Sequence, residues 1–196
     1  METADVAPSA TRAVFPLISP NADTALLSPQ RLRQWTLGFL LLGVLARCVR
    51  YFLRFPLWED ECFLCANFID RDYRRMLDPL YYHQVAPILF LWLELTVVKL
   101  LGYTEITLRL VPFLAGIGSL LLFYRLARIC LSGVPRLFAV AVFSVTYGTI
   151  RYSAEAKPYG IDLFVALVLV NLMVNWLRRP ESTTSSSSPR WPCTAA

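Results

Sequence analysis

The chain has 196 residues, 56% of them hydrophobic and only 17% charged, with a mean hydropathy of +0.50. An ordinary soluble domain is roughly 45–50% apolar and about 25% charged, so this composition excludes that class and points to a multi-span membrane protein. The net charge of +5 gathers at the ends of apolar runs, where membrane topology places Lys and Arg, and so gives no sign of a nucleic-acid partner.

Residues 1–30 mix Pro, Ala, Ser and Thr without a period, which predicts a disordered N-terminus. No secretory signal is expected, because the first apolar run starts only near Trp35 and no small-residue cleavage site follows it. Arg31 and Arg33 precede that run. They predict a cytoplasmic N-terminus and an uncleaved first span over about Trp35 to Leu53. Near its outer end, Arg47, Arg50 and Arg54 are spaced three and four apart and form one helical stripe. The stripe suits a lipid phosphate, for which guanidinium forks are well shaped; snorkelling to the headgroups explains it too.

The cluster Trp58-Glu59-Asp60-Glu61 follows directly. Carboxylates contribute little to topology, and acids at a bilayer edge commonly serve a substrate, an ion or a proton. Asp60 and Glu61 are the candidate catalytic pair, as a general base or as ligands of a divalent cation. The bland alternative makes Asp60 the N-cap of a helix starting near Cys62. Cys62 and Cys65 form a C-x-x-C, but no second pair follows and the only His is His83. The five cysteines (Cys48, Cys62, Cys65, Cys130, Cys193) therefore read as neither a metal nor a redox framework. Tyr81, Tyr82, His83 and Gln84 make a polar-aromatic patch before Pro87, suited either to a sugar or to interface anchoring.

Three further spans are expected over Ile106–Leu126, Val134–Ile150 and Tyr159–Leu177, each near the roughly 20 residues that cross a bilayer. Arg125, Arg128 and Arg136 surround one short loop and Arg178-Arg179 end the last span; both clusters should be cytoplasmic. With a cytoplasmic start, parity forbids Val85–Leu101 from crossing as well. That segment, with Glu94 and Lys99, is expected as an interfacial helix in a long external loop. The fold class is thus all-α membrane: about four transmembrane helices over 31–179, with both termini cytoplasmic and interfacial helices in the first external loop. In a bacterium the location is the plasma membrane. The second external loop carries Ser153-Ala154-Glu155-Ala156-Lys157-Pro158-Tyr159, on the same face as Asp60. Glu155 and Lys157, at i and i+2 of an extended segment, point the same way, to pair or to face a substrate together. Asp162 lies one turn into an apolar span, where a carboxylate usually faces a polar cavity. The Ser-rich segment 180–196 is expected to be a disordered low-complexity tail.

These pieces, in order, resemble the polytopic C-type membrane glycosyltransferases, the family that includes protein O-mannosyltransferases and the lipid A aminoarabinose transferase. The resemblance is carried by Pro56-Leu57-Trp58 running into Asp60-Glu61, by Gln84-x-x-Pro87 followed by Leu91-Trp92-Leu93, and by Arg109-Leu110-x-Pro112 with Gly116. It continues through Tyr124-Arg125-Leu126-Ala127-Arg128 and Ser153-x-Glu155-x-Lys157-x-Tyr159. It implies transfer of a sugar from a polyprenyl-phosphate donor to an acceptor hydroxyl on the external face. Asp60 would be the base or metal-organising residue and Glu61 its support, with Glu155, Lys157 and Tyr159 at the donor or acceptor. Either Glu155 or Asp162 takes the place of the second-loop acid. Membrane lipid and the lipid-linked donor are the implied partners, and the oligomeric state stays open. Members of the family usually carry many more spans, so a truncated N-terminal portion is expected. The alternative is a non-catalytic fragment or partner subunit that keeps the fold.

Overall fold

The structure, a computed structural model, describes residues 28–178. The expectations for the N-terminal stretch up to residue 27, for Arg179 and for the tail with Cys193 lie outside the described residues. Within them the chain is all-helical, with no strand. The elements are α1 (Pro29–Phe52), α2 (Glu59–Cys65), α3 (Asn67–Asp70), α4 (Ile88–Leu101), α5 (Glu105–Leu108), α6 (Leu110–Cys130), α7 (Gly133–Val145), α8 (Tyr147–Tyr152) and α9 (Tyr159–Leu177).

Three of these, α1, α6 and α9, are long and apolar enough to cross a membrane. The segment expected as a fourth span, Val134–Ile150, is divided between two shorter helices: α7 has 13 residues, about 20 Å at 1.5 Å per residue. The chain breaks at Thr146, whose backbone is extended, before α8 resumes. Threonine hydroxyls bond backbone carbonyls on both sides of this break. The Thr146 hydroxyl donates to the Val142 carbonyl, and the Thr149 hydroxyl lies within hydrogen-bond distance of the Phe143 and Thr146 carbonyls.

The long helices pack in pairs, α1 along α7 and α6 along α9, with α6 also touching α1. Small residues set the close approaches. Added at Gly43, a Cβ would lie 3.0 Å from both Leu120 and Ser144; at Gly116 it would collide with Ser153. The outer faces of α1 and α9 leave Leu41, Leu45, Leu169, Leu172, Met173 and Trp176 exposed. Apolar faces this extensive mark contact with lipid or protein and not with water.

A second, smaller core lies beside this bundle. Leu64, Cys65 and Phe68 from α2 and α3 pack on Phe90, Leu91, Leu95 and Val98 of α4, with Leu108 of α5 and Ala156 from the loop before α9. Helix α4 is thus a wall of this platform. It starts after Pro87 and stops at Gly102, where φ of +88° ends the helix at low steric cost.

Glu94 is buried in the platform at 1% exposure, and neither carboxylate oxygen has a partner. Burial pushes its pKa up to about 9, so it is neutral at pH 7. Burial, reinforced by the Glu61 and Glu94 carboxylates, likewise pushes the Cys65 thiol up to about 12. For Glu94 the folded pKa exceeds the unfolded one. Its contribution is therefore fully present below about pH 4.5 and is lost as pH rises toward about 9. Glu94→Gln should remove this slope. It should also raise the thermal midpoint in detergent at pH 7, by an amount corresponding to roughly 3 kcal/mol, with little change at pH 4.5. An unchanged pH profile in the variant would show that Glu94 is not the titrating group.

Candidate functional site

The acidic cluster sits on α2. Trp58, not Asp60, is the N-cap, and the helix already begins at Glu59, which corrects the expectation that Asp60 caps a helix starting near Cys62. Glu61, at N3, reaches back to accept from the Trp58 N–H at 3.0 Å. The same oxygen faces Arg109 Nη2 at 3.4 Å, and the other oxygen accepts from the Ala156 N–H at 2.7 Å. Glu61 is 1% exposed and Arg109 3%. Arg109 also donates to the Phe55 carbonyl at 2.7 Å. Glu61 therefore ties the first connecting segment, the start of α6 and the loop before α9 into one buried knot.

Its neighbour Asp60 points the other way. Its side chain is 65% exposed and forms an ion pair with Lys157 Nζ at 2.7 Å. Gln84 completes a triangle: its amide donates to Asp60 at 3.3 Å and its carbonyl accepts from Lys157 at 3.2 Å. The hydrogen bond from Lys157 holds the Asp60 carboxyl below the usual carboxylate range. Gln84 is presented by an unusual turn, in which Tyr82 and His83 both adopt left-handed backbone (φ 56° and 54°). Such conformations cost non-glycine residues roughly 1–3 kcal/mol each. Tyr82 is held there by stacking on Phe63, centroids 4.5 Å apart.

Glu155 and Lys157 do not face one way. The segment between them is bent, with the Lys157 N–H bonded to the Glu155 carbonyl. Lys157 reaches Asp60, whereas Glu155 pairs with Arg151, whose guanidinium lies over the Trp58 ring. The arginine stripe also divides. Arg50 sits over the Phe55 ring at 4.0 Å. Arg54 is exposed beyond α1, in a left-handed turn. Arg47 turns inward to 0% exposure. It donates to the Gly43 and Ser144 carbonyls at 2.9 and 3.3 Å and to the Thr149 hydroxyl at 3.0 Å. It lines a cavity of about 370 Å³ where α1, α6, α8 and α9 meet. Tyr159 and Tyr152 line the same cavity, edge to face at 5.1 Å.

Asp162 and His83 are exposed, and neither joins the Asp60–Lys157–Gln84 cluster. Sequence reasoning put forward His83 from its patch where Gln84 makes the contacts, and it missed Arg109, Arg151 and Thr149 as site-building residues. Arg109 carried a signal, an arginine at the mouth of an apolar span, where a partner is needed. Among the described residues no group of three His, Cys, Asp or Glu side chains could hold a metal. Glu61 has both oxygens engaged, and Asp60 is paired with Lys157.

Comparison with family models, with curated proteins and with solved structures finds no match.

Breaking the Glu61 knot strands a buried guanidinium, which typically costs 3–5 kcal/mol. Glu61→Ala should lower the thermal midpoint in detergent sharply, whereas Asp60→Ala, on the exposed side, should shift it little. Equal shifts would mean that Glu61 is not the structural partner of the pair.

Proposed function

We propose that the chain is a membrane glycosyltransferase module that moves a sugar from a polyprenyl-phosphate donor to an acceptor hydroxyl on the external face. The observation that carries this reading is the Asp60–Lys157 pair: one exposed carboxylate and one cation, 2.7 Å apart, beside an apolar bundle with three membrane-length helices. Glycosyl transfer needs these two charges. Asp60 takes the proton of the acceptor hydroxyl as its oxygen bonds to the anomeric carbon. The bond from that carbon to the phosphate oxygen breaks, and the polyprenyl phosphate leaves with the electron pair, its charge met by Lys157. Lys157 keeps Asp60 ionised in the resting site. Once Lys157 turns to the leaving phosphate, Asp60 becomes the stronger base.

Asp60→Asn keeps the shape and the bond to Gln84 but removes the base. Transfer from a polyprenyl-phosphate sugar should fall by about 10²–10⁴-fold, with elution and thermal midpoint unchanged. Near-normal transfer would reduce Asp60 to a surface partner of Lys157 and favour a non-catalytic module.

The reading includes a topology of four crossings, the third made by α7 and α8 together, with α4 lying along the interface. The exposed stripe Leu89, Leu93 and Leu100 on α4 supports this placement. Cys62 and Cys130 are both exposed thiols and fall on opposite sides in this scheme. In variants retaining one or the other, a membrane-impermeant maleimide added outside should label Cys62 and spare Cys130. Labelling of both from one side would sink the topology.

A further inference from the structure

Tyr81 and Tyr82 are exposed aromatic side chains, 43% and 63%, and yet both are fixed. The Tyr81 N–H donates to Asn67 Oδ1 at 2.8 Å and its hydroxyl to Asp70 at 3.0 Å, while the Arg71 guanidinium covers one face of its ring at 4.1 Å. Arg71 is itself locked by the Arg75, Asp78 and Pro79 carbonyls. Tyr82 stacks one face on Phe63 and holds a left-handed backbone, φ 56°. Glycine would adopt that backbone without strain, so this ring stands in place against a penalty, as side chains at ligand clamps do.

The two rings line an open hollow of about 520 Å³ with Asp70, Ile69 and Ala66, within the roughly 300–1,000 Å³ of small-molecule sites. Asp70 bonds Tyr81 through Oδ2, which leaves Oδ1 for a donor from a ligand. A cationic ligand is poorly served, because Arg71 already places a like charge against Tyr81. Headgroup anchoring, the common use of exposed tyrosines, is opposed by the Asp70 carboxylate among the rings. A sugar suits both elements: its C–H face lies on an aromatic ring, and its hydroxyls donate to a carboxylate in short charge-assisted bonds.

We propose that this hollow is a carbohydrate site that seats one sugar ring of the acceptor, which is thus itself a glycan. The hollow adjoins Asp60: Phe63 follows it by one turn of α2, and Gln84, two residues beyond Tyr82, bonds it at 3.3 Å. The seated ring stacks on Tyr82 and gives hydroxyls to Asp70, and a neighbouring ring of the glycan presents its hydroxyl to Asp60. The acceptor role rests on the transfer reading; binding of the sugar does not.

The test is saturation-transfer NMR on the purified full chain in neutral-lipid nanodiscs, which hold no sugar-headed detergent. Maltose, cellobiose, mannobiose and chitobiose are the separate probes, with choline as the cationic control. At least one disaccharide should bind saturably, and choline should not. Tyr82→Gly should weaken that binding by about 10-fold or more at an unchanged or higher thermal midpoint, since glycine relieves the backbone. Tyr82→Phe keeps the ring and should keep the binding. Asp70→Asn should weaken it by about 10-fold, the usual effect of losing a charged acceptor. Binding of no disaccharide, binding of choline in their place, or parent affinity in Tyr82→Gly would overturn the proposal. Binding by a chain that transfers nothing to these sugars would overturn the acceptor role and leave the carbohydrate site standing.

Discussion

The structure depends on one buried carboxylate. Glu61 accepts hydrogen bonds from the backbone of Trp58 and of Ala156 and pairs with Arg109. These three partners belong to segments that are distant in sequence, and Glu61 joins them at one charged centre. A buried ion pair is rarely a large net source of stability, but breaking one is costly. Its role here is placement. With the Ala156 N–H fixed on Glu61, Lys157 is carried to the rim where Asp60 stands. The adjacent acids thus divide the work by burial, Glu61 inward as a structural tie and Asp60 outward as the exposed partner of Lys157.

The break in α7–α8 follows the same logic at the other polar feature. The Thr146 and Thr149 hydroxyls bond carbonyls at the break, and beyond it Thr149 meets Arg47. The cavity walled by Thr146, Gly148 and Thr149 lies at this interruption, among helices that otherwise pack on small residues.

Much of this was legible in the sequence. Apolar runs of membrane length gave α1, α6 and α9 to within a few residues, because a run of that length has few other uses. The acidic cluster, the segment from Ser153 to Tyr159 and the Tyr81–Gln84 patch were each singled out, and Asp60, Lys157 and Gln84 do converge. The losses came where three-dimensional direction decided the outcome. Spacing of three and four put Arg47, Arg50 and Arg54 on one stripe, but the helix ends near Phe52 and Arg54 falls beyond it. Alternation put Glu155 and Lys157 on one side, but a bend between them sent the two charges to different partners. The short α7 was hidden because hydropathy reads composition and not the turn of the backbone at Thr146.

Cys65 gives the platform a reporter of its own. Its thiol is wholly buried, and with its pKa near 12 it holds almost no thiolate at neutral pH. Since the thiolate is the reactive form, alkylation has to wait for α2 and α4 to part. The rate at which this thiol is consumed is therefore a clock for local opening of the smaller core, independent of whether the long helices stay together. The chain thus carries, without any added label, the means of telling a breathing platform from an unfolding protein.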